Sequence, residues 1–256
     1  MEDADDSPSS PKEVVTFSAK VLSRLLTVLA MFTYESPFLW HWLSGRKNPR
    51  ADLAGPYHII GAPDRQLEEG KALLATKKEL ETFTPFVLSL RVRRADGSAV
   101  PHATVDWWQA DGAGRYSHAT YRLRGTFATD AHGAASVLTV APGKYGPAAH
   151  ERAAHFHATL ADPARAARPL TTQLYVCAGN DARELQPDFL NFVRAPRPAN
   201  MLAAHAVGGA CMGLPALRPD APEARAALDW WAARLAARGV DASVRAWAQT
   251  ELRLNA

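Results

Sequence analysis

Short runs of alternating apolar and polar residues, separated by turn signals, limit the fold of this chain more than any other feature. The run FVLSLRVRR (86–94) alternates in this way, the turn residues ADGS follow, and VPHATVDWWQA (100–110) continues as a strand. RLRGTFATD and AASVLTVAP flank a turn at 131–133 as a second predicted strand pair, and AAHFHATL and LTTQLYVCA follow. A period of two indicates strands with one buried face, and closely spaced turns are typical of antiparallel sheets. The sequence therefore predicts an all-β fold built on an antiparallel β-sandwich.

Helical patterns precede the strand region. Ser10 as a cap, Pro11 in the first turn and Glu13 in a capping box predict a helix start. A second short helix is predicted from Ser36 to Gly45. The first helix has apolar residues at three- and four-residue steps, which give it one apolar face: Val14, Phe17, Val21, Leu25, Val28 and Phe32. Such a face either packs on its own domain or pairs with a second copy in a homodimer, and the pattern favours neither.

Another helical pattern lies near the C-terminal end of the sequence. The positions Ala224, Leu228, Trp231 and Leu235 predict an amphipathic helix that ends before Gly239, and Asp241 is predicted to cap one more helix. Together these patterns divide the chain into three parts: an N-terminal helical segment (1–52), a β-sandwich domain (53–185) and a C-terminal irregular and helical extension (186–256).

Composition and charge exclude several classes of protein. With 47% hydrophobic and 21% charged residues the chain can form a core, and a net charge of +3 without a block of like charges does not indicate a nucleic-acid partner. Cys177 and Cys211 are too few for a disulfide framework, which favours a reducing compartment. The apolar stretch 21–32 is short and contains Arg24, so it predicts no membrane span, and the acidic N-terminus is unlike a secretory signal. We therefore expect a cytoplasmic protein.

Two histidines and two tyrosines are candidate metal ligands. His155 and His157 are two positions apart in a predicted strand, so their side chains share one face. By itself this spacing occurs by chance in many strands, and its meaning depends on further donors. Tyr116 and Tyr145 lie beside turn residues at strand ends, where functional loops are common. Phenolate oxygen suits a hard, high-valent ion, so this set of four favours Fe(III) over Zn(II) or Cu(I).

The segment from about residue 54 to 178 resembles the catalytic domain of the intradiol ring-cleavage dioxygenases. This family includes catechol 1,2-dioxygenase, hydroxyquinol 1,2-dioxygenase and protocatechuate 3,4-dioxygenase. Six motifs occur in the order of the family: Gly-Pro at 55–56, WQADxxGxY at 108–116, RGxxxTD at 124–130, PxxY at 142–145, RxxHxH at 152–157 and LTTQ at 170–173.

The resemblance implies a cofactor and a reaction. Tyr116, Tyr145, His155 and His157 would be the ligands of a non-haem Fe(III). The substrates would be a catechol-type ring and O2, with cleavage between the two hydroxylated carbons and a muconic-acid-type product. The counterpart of Tyr145 leaves the metal when substrate binds and accepts a substrate proton.

The resemblance also implies roles for three further residues. Arg152 would stabilise negative charge on the ring during oxygen attack and contact the substrate, unless it is a surface arginine. Ideal strand parity places it opposite His155, so the chain must be irregular before that strand. Gln173 would hydrogen-bond near Arg152 or a ligand, unless it points outward on its strand. Tyr57 would line the substrate pocket, unless it is a core tyrosine.

Departures from the family pattern and two rival interpretations accompany the resemblance. Ala153 stands where the family usually has proline. A cupin would also place His-X-His on a strand, but it requires a glutamate four or five residues later, where this chain has Ala161 and Asp162. The rival from another class is a non-catalytic β-sandwich module that binds a small aromatic ligand or a protein partner.

Overall fold

The computed structural model describes residues 13–33, 35, 48–147, 150–165, 169–179, 181, 185, 188–192, 197–218 and 221–254. Within these ranges the chain forms two β-sheets and three α-helices. The helices are α1 (Phe17–Phe32), α2 (Lys77–Thr82) and α3 (Pro222–Ala237). The strands are β1 (Gln66–Glu68), β2 (Lys71–Leu73), β3 (Pro85–Arg93), β4 (Thr104–Gln109), β5 (Arg124–Ala128), β6 (Ala134–Val140), β7 (His155–Ala161), β8 (Leu170–Cys177), β9 (Met201–Ala203), β10 (His205–Ala206) and β11 (Ala246–Arg253).

Both sheets are mixed, which corrects the prediction of a purely antiparallel sandwich. One sheet has six strands in the order β1-β2-β6-β3-β11-β10, and the other has five in the order β5-β4-β7-β8-β9. Most pairs are antiparallel, but β2–β6, β3–β11 and β8–β9 are parallel. A parallel partner reaches its neighbour through a long connection, so patterns of local strands and turns do not reveal it.

The two predicted strand pairs are wrong, although both turns are present. Arg93 and Ala99 form an antiparallel bridge at the first turn, and Gly133 N donates to Asp130 O at the second. Beyond each turn the chain passes to the opposite sheet, so β3 and β4 do not pair, and neither do β5 and β6. Alternation specifies which face of a strand is buried, but not which sheet the strand joins.

The main core lies between the two sheets. On β3, Phe86, Leu88 and Val92 face inward and are fully buried, and the Phe86 ring meets the Phe156 ring of β7 with centroids 5.3 Å apart. Trp107 of β4 packs against Phe156 in the same layer, with the two rings tilted by 42° and their centroids 5.0 Å apart. Each such side chain stabilises the fold by about 1.5–3 kcal/mol through removal of apolar surface from water.

The outer face of the six-stranded sheet is covered by α3. Trp231 is fully buried there and donates its indole N–H to Ser136 Oγ at 2.9 Å.

The predicted last helix after Asp241 is wrong, because residues 246–253 form β11 in register with β3. Leu252 packs into the core between the sheets, and Trp247 packs on the side of α3. Side chains along AWAQTELR therefore alternate between the two faces of the sheet, as they do in a strand.

Helix α1 begins later than predicted. Thr16 caps the helix by accepting a hydrogen bond from Ala19 N. Glu13 does not complete a capping box but forms a bidentate ion pair with Arg65. Ser10, Pro11 and the predicted helix at 36–45 lie outside the described residues. Ser23 faces the domain and accepts from Ile60 N at 3.1 Å.

The predicted apolar face of α1 does not pack on the described part of its own domain. The exposed fraction is 82% for Phe17, 63% for Leu25 and 80% for Phe32. Within the part of the chain that the structure describes, no helix has the length and apolar character needed to cross a membrane.

Candidate metal centre and active site

The structure brings the two candidate histidines together on β7, which pairs with β4 on one side and β8 on the other. Both are 1% exposed, and the Nε2 atoms of His155 and His157 are 3.0 Å apart. Nδ1 of His155 lies 2.6 Å from the carbonyl of Ala153. Because a carbonyl only accepts, Nδ1 carries the proton, and Nε2 of the neutral ring is the acceptor that faces His157. Both rings therefore direct Nε2 at a common point.

Aromatic packing fixes the ring of His157. Trp108 of β4 stacks on it with centroids 4.8 Å apart and an interplanar angle of 12°. His58 packs edge-on against Trp108 and pairs with Asp106 at 2.8 Å. Among the described residues His157 Nδ1 has no hydrogen-bond partner, and burial, followed by repulsion from His155, holds the pKa of His157 well below its usual value. The ring is thus favoured in its neutral, ligating form.

The two tyrosines join the histidines from different connections. Tyr116 lies between β4 and β5, and Tyr145 lies between β6 and β7. The ring of Tyr145 contacts the rings of Tyr116 and His155 with centroids 5.3 and 5.5 Å away. The four predicted ligands therefore form one continuous cluster of rings.

Both phenols are in surroundings that disfavour a lone negative charge. Tyr116 Oη is buried and lies close to the Tyr145 hydroxyl, but it forms no well-aligned hydrogen bond in the described part of the chain. Burial, followed by the neighbouring Tyr145, raises the pKa of Tyr116 well above its usual value. Burial also raises the pKa of Tyr145 to about 12, although Arg152 opposes this shift. A buried phenolate pair requires a compensating cation.

These donors fit a hard metal ion. The described residues contain no cluster of three or more His, Cys, Asp or Glu side chains that could hold a metal. Two imidazoles and two phenols form the set instead, with two Nε2 atoms facing each other and a buried phenol oxygen that has no well-aligned hydrogen bond among the described residues. Such a set suits Fe(III) better than Zn(II), because phenolate oxygen is a hard donor.

Arg152 lies beside this cluster and is 8% exposed, so it is not a surface arginine. The predicted irregularity is present, because Arg152 and Tyr145 form an isolated bridge before β7 begins. Its Nη1 donates to Tyr145 Oη at 3.1 Å, and its Nε lies 3.0 and 3.2 Å from the two carboxylate oxygens of Asp188. Burial acts to lower the pKa of Arg152, but these neighbours and Tyr175 raise it overall. The guanidinium therefore remains charged.

Gln173 on β8 is fully buried, so it does not point outward. Its Oε1 accepts from Arg152 Nη2 at 2.5 Å, and its Nε2 donates to Leu53 O at 2.7 Å. The Tyr175 hydroxyl lies 2.8 Å from the same Oε1 and 3.1 Å from Asp52 Oδ2. Arg152 is thus held by an acid on one side and by a hydrogen-bonded amide on the other.

Tyr57 is half-buried at the edge of the cluster and is not a core tyrosine. Its ring stacks on Tyr116 with centroids 4.4 Å apart and an angle of 11°, and it meets Tyr145 edge-on at 5.7 Å. The buried Arg124 donates to the carbonyl of Tyr57 at 2.6 Å, which fixes this loop. Burial lowers the pKa of Arg124 to about 10.

Sequence reasoning missed Asp188 and Tyr175. Asp188 accepts from Arg152 and from the backbone N–H groups of Ala153 and Leu190. A single aspartate in an irregular, proline-rich region has no spacing signal. Tyr175, however, follows Gln173 by two positions on the same strand, and that spacing could have identified it. Ala153 gives Asp188 an N–H that proline would lack.

Comparison with known proteins identifies the family. Residues 53–212, more than half of the chain, match the model of a family described as Dioxygenase. The chain therefore belongs to this family, that of the intradiol ring-cleavage dioxygenases. A catechol 1,2-dioxygenase of Acinetobacter baylyi is 30% identical over 101 residues, which are 37% of this chain and 31% of that protein. The match thus spans about a third of the curated relative.

Solved structures share the fold. A catechol 1,2-dioxygenase of Acinetobacter radioresistens has a TM-score of 0.62 at 19% identity, covering 93% of this chain and 74% of that one. A hydroxyquinol 1,2-dioxygenase of Pseudomonas putida DLL-E4 has a TM-score of 0.59 at 19% identity, covering 93% and 81%. The dioxygenase domain of a carbohydrate-binding fusion from Streptomyces sp. SirexAA-E has a TM-score of 0.53 at 21% identity, covering 81% and 98%.

Proposed function

We propose that the protein is a non-haem Fe(III) dioxygenase that cleaves a catechol-type ring between its two hydroxylated carbons with O2. The product is a muconic-acid-type compound. The observation that carries the proposal is the meeting of two buried imidazole Nε2 atoms with two phenol rings beside a charged arginine. Catechol 1,2-dioxygenase and hydroxyquinol 1,2-dioxygenase activities are those of the relatives. These activities support a catechol-type ring as the substrate class of this chain.

Tyr116, Tyr145, His155 and His157 hold the metal in this proposal. Bound Fe(III) supplies Lewis acidity and a template for the diol and O2. His155 keeps its orientation through Nδ1–H and the carbonyl of Ala153, which leaves Nε2 for ligation.

The protein's own residues supply the proton transfer and the electrostatics. Tyr145 Oη accepts a proton from a diol hydroxyl, and the adjacent Nη1 of Arg152 stabilises Tyr145 as the phenolate before that transfer. Arg152 then stabilises the negative charge that develops on the ring during oxygen attack. Gln173 and Asp188 keep the guanidinium in place, and Tyr57 lines the pocket beside Tyr116.

The exposed face of α1 supports assembly as a homodimer. Its apolar side chains form a long patch that the described part of a single copy leaves uncovered, as illustrated by Phe17 and Leu25. Contiguous apolar patches of this kind are typical of protein interfaces. In this proposal two copies of α1 cover each other and leave the metal cluster accessible.

The test is the metal content and colour of the purified protein. We expect iron and a visible phenolate-to-iron charge-transfer band, with oxygen uptake on addition of catechol. Tyr116→Phe should weaken or shift the band, whereas Tyr121→Phe, a tyrosine that donates to Ile60 O outside the cluster, should leave it unchanged. Zinc without iron would contradict the proposal, and a colourless, metal-free protein would favour the non-catalytic binding module.

A further inference from the structure

The loop that carries Tyr57 lies directly against the proposed metal cluster. Gly55 is so close to His157 that an added Cβ atom would lie 3.8 Å from Cε1 of the imidazole. Two residues later, the ring of Tyr57 stacks on Tyr116 with centroids 4.4 Å apart. The φ angle of Gly55 is +69°, in the left-handed region that favours glycine. The backbone conformation at Gly55 therefore determines where Tyr57 meets the cluster.

The N-terminal helical segment holds this loop through one buried carboxylate, that of Glu35. Its Oε1 accepts from Ala54 N at 2.6 Å, and its Oε2 accepts from Gly55 N at 3.3 Å. Glu35 is 8% exposed, so water competes weakly for these hydrogen bonds. Burial raises the pKa of Glu35, and the two N–H groups act against that shift because they stabilise the charged form. A single carboxylate thus binds two consecutive amides of the loop.

Glu35 is itself attached to α1. Its N–H donates to Ala30 O, in the last turn of the helix, at 2.8 Å. Further back on α1, Ser23 Oγ accepts from Ile60 N at 3.1 Å and so holds the other end of the same loop. The loop is therefore fixed at both ends by the N-terminal segment, with Tyr57 between the two contacts.

Contacts with the cluster side of the loop do not replace Glu35. Gln173 donates to Leu53 O at 2.7 Å, and Arg124 donates to Tyr57 O at 2.6 Å. Both of these hydrogen bonds use carbonyl groups of the loop. Among the described residues, the N–H groups at 54 and 55 have no acceptor other than Glu35.

We propose that Glu35 is a positioning residue of the active site, which holds the loop of Tyr57 against the metal cluster. The N-terminal segment is then part of the pocket and not only a site of assembly. The kinetic consequence rests on the proposed ring-cleavage function, whereas the contact of Glu35 with the loop does not. Because Tyr57 lines the pocket and takes no part in proton transfer, its displacement affects substrate binding more than the chemical step.

The test is Glu35→Gln, which keeps the size of the side chain but can accept from only one of the two N–H groups. In the iron-loaded protein we expect KM for catechol to rise about tenfold, the lower end of the loss for a hydrogen bond to a charged group, with a smaller change in kcat. Glu69→Gln is the matched control, because Glu69 also accepts from a loop N–H, that of Ala131, outside the cluster. Its kinetic constants should equal those of the wild type.

A second measurement uses the metal-free protein and does not depend on activity. Hydrogen exchange followed by mass spectrometry reports on the N–H groups of Ala54 and Gly55. We expect these groups to be protected in the wild type and to exchange about tenfold faster in Glu35→Gln, in proportion to the lost hydrogen bond. Exchange in β7 should stay unchanged, because the effect is local.

Three outcomes overturn the inference. They are an unchanged KM in Glu35→Gln, unprotected amides at 54 and 55 in the wild type, and faster exchange that extends equally to β7, which would indicate a structural role alone. If the iron-loaded protein cleaves no diol at all, the proposed function fails separately. Exchange in the metal-free protein then determines by itself whether Glu35 holds the loop.

Discussion

At the scale of single residues, the position of Arg152 depends on groups from distant parts of the chain. Asp188 lies 36 positions away in sequence and contacts Nε, while Gln173 is 21 positions away and contacts Nη2. Asp188 is 3% exposed, so its charge is weakly screened by solvent. Catalytic charge stabilisation requires a guanidinium that does not reorient during the reaction.

Asp188→Asn should separate positioning from binding. The amide keeps the shape of the side chain but replaces a charged acceptor of Arg152 Nε with a weaker contact. We expect kcat to fall by roughly 10–100-fold, the usual cost of losing a side chain that orients an active-site group, with a much smaller change in KM. Steady-state oxygen uptake measures both constants.

The matched control is Asp229→Asn on the exposed surface of α3, which should have normal kinetics. A structural role alone would lower the melting temperature of Asp188→Asn without a selective loss of kcat. An unchanged kcat would show that Asp188 does not position Arg152.

Sequence patterns identified the candidate cluster but not all of its supports. His155 and His157 share a strand face by simple parity, and the family motifs relate them to Tyr116 and Tyr145. The structure brings all four together. Asp188 could not be predicted, because its contact with Arg152 depends on how the chain after β8 returns to the site. Tertiary contacts of this kind leave no periodic signal.

At the scale of elements, α1 has an apolar surface that the described fold leaves uncovered. Leu25 is 63% and Leu29 is 59% exposed, one helical turn apart. We expect Leu25→Gln/Leu29→Gln to convert a dimer into a monomer, because it removes apolar area from the proposed interface while glutamine retains good helix propensity. Light scattering at several protein concentrations measures the change.

Met212→Gln is the control for this experiment. Met212 is a 49% exposed apolar residue outside α1, so its replacement should leave the assembly state unchanged. A protein that remains dimeric after both leucines are replaced would place the interface elsewhere.

Neighbouring residues of strand β11 differ in how much they contribute to the stability of the fold. Leu252 is fully buried between the sheets, whereas Arg253 is exposed and pairs with Glu251 at 3.1 Å. Leu252→Ala should lower the free energy of unfolding by about 2–5 kcal/mol through lost burial and a cavity. Arg253→Ala should lower it by less than about 1 kcal/mol, because surface ion pairs contribute little. Chemical denaturation measures both values, and similar losses would contradict the assigned faces.

The fold was predictable from sequence where the signal was local. Strand segments and both turns were recognised from alternation and turn residues such as Gly133. The partners of each strand were not, because pairing of β3 with β11 joins residues 86–93 to 246–253. The helix predicted after Asp241 is absent for the same reason. A capping residue indicates only where a helix can start locally, whereas pairing with β3 makes residues 246–253 a strand.

At the scale of the whole molecule, the proposed metal connects three separate segments. Tyr116 follows β4, Tyr145 follows β6, and the histidines lie on β7, so both sheets contribute to the cluster. A ligand that binds only the folded state stabilises it by mass action, by about 4 kcal/mol at a thousandfold excess over Kd. We therefore expect a chelator to lower the melting temperature of iron-loaded protein.

Variants of single histidines control for nonspecific effects of the chelator. His157→Ala should melt at the same temperature with and without iron, whereas His132→Ala, in an exposed turn, should keep the wild-type difference. A chelator-induced shift that persists in His157→Ala would indicate a metal site elsewhere.

The position of β11 also has a consequence for biosynthesis. This strand lies between β3 and β10, and its partner β3 precedes it by more than half of the length of the chain. While the ribosome is still translating the middle of the sequence, β3 has one hydrogen-bonding edge without its native partner. Open edges of this kind pair readily with other chains. Until Arg253 has left the exit tunnel, the six-stranded sheet cannot close, so this edge of the nascent chain stays open to pairing with other chains.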